Sequence, residues 1–103
     1  WWFFYIKNIN DGFLSVQNTS GSVLIDVRTE DEFDSCHIPG SINIPLDSLE
    51  SVYDEISDEE TPVFVYCRSG SRSEPAKYML AEMGYGNVTN IGGIQDWTGS
   101  VEK

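Results

Sequence analysis

The sequence predicts an α/β fold on a mostly parallel sheet, and three observations carry that expectation. Short apolar runs alternate with segments of helical period. Two of the runs, VLIDV at 23–27 and VFVY at 63–66, are compact enough to be strands buried on both faces. The first run is followed at once by Thr29-Glu30-Asp31-Glu32, a capping box that starts a helix.

The elements follow in order. A helix is expected over 10–17, with Gly12 inside it as the contrary feature, then the strand at 23–27 with Arg28 at its carboxyl end. In open α/β sheets that end is where ligands bind. A strand at 41–44 and a helix over 46–56 come next, the latter with Leu49, Val52, Tyr53 and Ile56 on one side. Thr61-Pro62 turns the chain into the strand at 63–66. The next helix begins near Ser73, with Pro75 in its first turn, Ala76, Met79, Leu80 and Met83 as its core stripe and Gly84 as its stop. A strand at 87–91 is closed by a tight turn at Gly92-Gly93, and a brief helix runs to Trp97, a core residue on this reading.

A chain of 103 residues has the size of one autonomous domain, able to bury roughly two thirds of its unfolded surface. With 40% hydrophobic and 22% charged residues it has the balance of an ordinary globular protein. Six basic against 17 acidic side chains give −11, which disfavours nucleic acid and anionic lipid as partners. Much of the acid lies between Asp47 and Glu60 and reads as a solvated face. Two cysteines make neither a disulfide framework nor a zinc site, so no metal or cofactor is expected and a reducing, cytoplasmic setting is the default. The apolar opening WWFFYI is too short to span a bilayer. It reads as a first strand with flanking aromatics, the alternative being the remnant of an export or anchoring segment.

Chemistry concentrates at Cys67-Arg68-Ser69-Gly70-Ser71-Arg72. A cysteine that follows a strand and precedes a Gly/Ser loop, two arginines and a helix start is placed where inward N–H groups and positive charge favour the thiolate. The bland alternative, a small buried hydrophobe, fits that loop poorly. His37 reads as a loop residue bonded to backbone, Cys36 as a partly buried bystander with a resolving role left open, and Asp26 as a hydrogen-bonding anchor of the strand-end loop.

CRSGSRS closely resembles the active-site loop of rhodanese-like sulfurtransferases, and LIDVRTEDEF, HIPGSINIP, GYGNV and GGIQDW resemble that family's other landmarks in order over about 23–97. The resemblance implies a five-stranded parallel sheet with helices on both faces. It also implies transfer of a sulfane sulfur through a persulfide on Cys67, from thiosulfate or a persulfide donor to a thiophilic acceptor, either of which a protein can supply. The loop amides from Arg68 through Ser69, Gly70, Ser71 and Arg72 to Ser73 would cradle the sulfur. Arg72 would orient the donor's anionic end. Arg28 would assist from the side, or else form an ion pair with Glu32 or Asp31. The thiosulfate-using mitochondrial members carry lysine where this chain has Ser69, which weakens thiosulfate as the physiological donor. Phosphatases and arsenate reductases of the same fold are disfavoured, because the phosphatases need five residues between cysteine and arginine and this chain has four. A non-catalytic binding module is the remaining alternative.

Overall fold

The computed structural model describes residues 6–103. Helix α1 (Ile9–Asn18) leads into strand β1 (Val23–Asp26), helix α2 (Glu30–Ser35) and strand β2 (Ile42–Asn43). A 3₁₀ helix (Leu46–Ser51) and helix α3 (Val52–Glu55) precede strand β3 (Val63–Cys67), helix α4 (Ser73–Glu82), strand β4 (Val88–Gly93) and a 3₁₀ turn (Ile94–Asp96). Every strand pair is parallel, in the order β2-β1-β3-β4. The sheet therefore has four strands among the described residues, not five. The fifth expected strand, at the aromatic opening, lies outside the described residues apart from Ile6.

Alternation along the strands feeds two cores. Ile25, Val27, Val63, Val65 and Cys67 face α3 and α4, where Leu49, Val52, Ala76, Leu80 and Tyr85 complete one cluster. Leu24, Phe64 and Tyr66 face the other way, onto Ile9, Ile38 and Ile91, with Phe13 and Val16 of α1 packed against them. Helices thus cover both faces. Gly12, the contrary feature in α1, is what seats that helix: a Cβ there would lie 2.3 Å from the Ile91 Cβ.

Three expectations are corrected. The helix over 46–56 is a 3₁₀ segment (Leu46–Ser51), kinked at Ser48 (φ −127°), followed by a short α piece (Val52–Glu55). The change of residues per turn shifts the phase, so Tyr53 is half exposed and its hydroxyl donates to the Met83 carbonyl at 3.0 Å. In α4 the buried stripe is Ser73, Ala76 and Leu80, narrower than predicted, and Met79 is 41% exposed. Gly92 and Gly93 belong to β4, where they pair with Tyr66 and Cys67 after a register shift at Val65/Tyr66. Their small size serves a close approach: a Cβ on Gly93 would meet the Arg68 carbonyl oxygen at 2.3 Å and Ser69 Cα at 2.6 Å.

From β1 the chain moves outward to β2, and from β3 outward in the opposite direction to β4, so the strand order reverses between β1 and β3. That switch point is where an open α/β sheet leaves a crevice at its carboxyl edge. Arg28 and Cys67 stand at the two strand ends that flank it. The acidic run Asp54, Glu55, Asp58, Glu59 and Glu60 is exposed, as a solvated face should be. Among the described residues no helix is long and apolar enough to cross a membrane.

Candidate active site

Helix α4 starts at Ser73 without any side-chain cap, its N-cap Arg72 already in helical conformation. The first amides of a helix need acceptors, and here sulfur supplies one. Cys67 Sγ accepts from the amides of Gly70 (3.0 Å), Arg72 (3.2 Å) and Ser73 (3.4 Å). Gly70 makes this turn possible with φ +100°, a conformation that L side chains rarely adopt. Burial alone pushes the Cys67 thiol up. The Ser73 hydroxyl and the three amides more than offset that, and the thiol lies below its ordinary value. Of the six loop residues expected to cradle the sulfur, Gly70, Arg72 and Ser73 do so, while Arg68, Ser69 and Ser71 stand exposed around it, with Ser69 and Ser71 hydroxyls bonded to each other at 3.0 Å.

The Ser73 hydroxyl has one proton and three acceptors in reach: Asn90 Oδ1 at 2.7 Å, Gly70 O at 3.1 Å and Cys67 Sγ at 3.5 Å. Asn90 is the best placed of these, so the amides are the more constant support of the sulfur. Asn90 also accepts from the Gly92 amide (3.0 Å) and donates to Glu74 (2.9 Å), tying β4 to the loop and to α4. The sequence pattern marks Asn90 only as a strand residue. Its signal was there, since Asn is poorly suited to a strand interior unless its amide has work elsewhere.

The arginines differ from expectation. Arg28 is 5% exposed and pairs with Asp26 at 2.7 Å, not with Glu32 or Asp31, while also donating to the Cys36 carbonyl at 2.6 Å. Asp26 accepts from the Arg28 amide as well, at 2.9 Å, so it does anchor the strand-end loop. Its position two residues away on the same strand end, buried beside the guanidinium, outcompetes the exposed acids of α2. Arg72 turns its guanidinium onto Glu32, at 2.7 Å to Oε1 and 2.9 Å to Oε2. This pair, with the Thr29 amide, holds the Glu32 carboxyl at about 2. Glu32 also completes the capping box predicted for α2.

Cys67 is fully buried beneath its loop. Beside the loop lies a cleft of about 440 Å³ lined by Arg28, Glu32, Cys36, Arg68, Ile94 and Trp97 among others. Trp97 is half buried, edge-on to Phe13 with centroids 4.9 Å apart, and forms both core and cleft wall. His37 is held as a loop residue: its Nδ1 lies 2.9 Å from the Phe33 carbonyl and its ring stacks on Phe33. Cys36 is a partly buried free thiol. Among the described residues no group of three or more His, Cys, Asp or Glu side chains is placed to hold a metal ion.

A parallel α/β sheet with a strand-end cysteine whose sulfur accepts amides from its own loop and from the following helix start defines a class of anion-binding α/β sites. Within it, the chain belongs to the rhodanese-like domain family, whose model matches residues 10–100. It is similar to "Thiosulfate sulfurtransferase PspE" of Escherichia coli, 42% identical over 73 residues that cover 70% of each chain. It is 36% identical over 80 residues to "Putative sulfur carrier protein YrkF" of Bacillus subtilis, covering 77% of this chain and 43% of that one. Among solved structures, "rhodanese with anions from E. coli" superposes with a TM-score of 0.74 at 38% identity, covering 80% of this chain and 98% of the other.

Proposed function

We propose that this protein is a sulfurtransferase in which Cys67 takes a sulfane sulfur from thiosulfate or an organic persulfide and passes it to a thiophilic acceptor. The observation that carries the reading is the convergence of three backbone amides on one sulfur atom, with a thiol lowered despite complete burial. The thiolate attacks the outer sulfur of the donor; the S–S bond of the donor breaks, and sulfite or a thiolate leaves with the electron pair. The new persulfide keeps its negative charge on the terminal sulfur, where the loop amides act on it as an oxyanion hole acts on oxygen. A second nucleophile removes that sulfur and returns the thiolate, which makes the cycle ping-pong. The names of PspE and YrkF support both a small-molecule donor and a protein sulfur acceptor.

The deciding experiment is the intact mass of the protein after incubation with thiosulfate and, separately, with glutathione persulfide. A gain of one sulfur that is lost on adding cyanide or a thiol is the expected result. No gain from either donor, together with a thiol that titrates near the unperturbed value of about 8.5, would sink the reading.

A further inference from the structure

The arginines around the Cys67 loop are not equally free to meet an incoming anion. Arg28 is buried against Asp26 and the Cys36 carbonyl. Arg68 is exposed and makes no ion pair among the described residues. Arg72 holds its amide 3.2 Å from Sγ, and its two terminal guanidinium nitrogens each donate to one oxygen of Glu32. Paired forks of this kind are among the stronger protein hydrogen bonds, so the Glu32 carboxylate competes directly with an incoming anion for the same guanidinium fork. Neither partner is deeply buried, with side-chain exposures of 35% for Arg72 and 28% for Glu32. A dissolved anion can therefore compete for the guanidinium without stranding a buried charge, the penalty that locks interior pairs.

We infer that Glu32 is a built-in competitor for the substrate's anionic end: it holds Arg72 until a small anion takes its place, and so sets how tightly anionic donors bind. The identity of that anion as a sulfur donor rests on the sulfurtransferase reading; the competition itself concerns any small anion that approaches Cys67. Because the Glu32 carboxyl is held at about 2, the competitor stays charged across the whole working range of pH. A purely structural role for Glu32 is separable from this one. Its other task is the capping box, in which it accepts from the Thr29 amide at 3.1 Å, and glutamine serves at that position of the box as well as glutamate does. Glu32→Gln thus keeps the cap and removes only the charge and one of the two acceptor oxygens facing Arg72.

The test compares alkylation of Cys67 by iodoacetate, an anion, with alkylation by the neutral iodoacetamide, in a Cys36→Ser background so that one thiol is read. Burial of Cys67 slows both reagents alike, and the ratio of the two rates reports the positive charge offered to an anion. The ratio should rise about fivefold in Glu32→Gln, the scale expected for freeing one partner of a solvent-accessible pair. Between Arg72→Ala and Glu32→Gln/Arg72→Ala it should not rise, because the gain depends on the released guanidinium. An unchanged or lower ratio in Glu32→Gln overturns the inference. So does an equal rise when Glu32→Gln is introduced into the Arg72→Ala background, which would assign the effect to the lost negative charge alone. Alkylation needs no sulfur transfer, so a wild type that loads no sulfur and has an unperturbed Cys67 titration would refute the sulfurtransferase reading and leave this comparison standing.

Discussion

Replacing Gly93 with alanine tests whether the loop owes its shape to the strand beneath it. A methyl group there would sit 2.3 Å from the Arg68 carbonyl oxygen and 2.7 Å from the Ser69 carbonyl carbon, all backbone atoms with no flexible side chain to yield. Comfortable contact lies at about 3.5 Å, so one side must retreat by about 1 Å. Gly93 is locked in register with Cys67, and the Arg68 carbonyl also accepts from the Gln95 amide at 3.1 Å, so the strain falls on the loop. Overpacking of this kind costs about 1–3 kcal/mol. A displacement of about 1 Å at reacting groups can cost on the order of 100-fold in rate. Urea denaturation should show that loss of stability, thiolate absorbance should show the Cys67 titration moving up toward an ordinary thiol, and sulfur loading should slow by about 100-fold. Gly86→Ala is the control, since nothing lies within 4 Å of its added Cβ, and it should stay within about 0.5 kcal/mol of wild type. A Gly93→Ala protein with the wild-type thiol titration and loading rate would refute the argument that this contact shapes the site.

Other outcomes follow from the same contacts. Cys67→Ser should abolish sulfur loading with the fold retained, while Cys36→Ser changes little; a dead Cys36 variant would misplace the nucleophile. Tyr66→Phe removes the buried hydroxyl that accepts from the Ile38 amide and lies 3.1 Å from the Ser41 hydroxyl. Leaving that amide unpaired should cost about 1–3 kcal/mol in denaturation. The cost should not vary below pH 10, because burial and the Asp26 charge push the Tyr66 phenol well above its ordinary range. Glu32 is depressed from 4.5 to about 2, so its contribution to stability is present above pH 4.5 and is lost as pH falls toward 2. Wild type and Glu32→Gln should therefore converge in stability across that acid window, and a difference that persists at pH 2 would deny the ion pair that role.

Much of the site was legible because it is local in sequence. A strand, a cysteine, a glycine at the turn and a helix start are consecutive, and consecutive residues fix the geometry that turns three amides toward one sulfur. The capping box on α2 and the helix α1 were readable for the same reason, since caps and apolar periods act within a few residues. The partners of the arginines were not readable. Arg72 meets Glu32 across 40 positions, and which acid wins Arg28 depends on burial at the end of β1, which no spacing reports. Gly93 and Asn90 had the same character: composition marked them as a turn residue and a strand residue, but only the pairing of β4 with β3 sets one under the loop and the other against Ser73. Met79 and Tyr53 show the limit of periodicity, because both fall on the expected inward stripe and both are exposed. The sequence alone thus determined the fold family and singled out Cys67 as the candidate nucleophile, as short-range properties of the chain. The partners of the arginines around that cysteine were decided by tertiary structure, because Glu32 meets Arg72 only when separate elements pack and burial at the end of β1 selects Asp26 for Arg28.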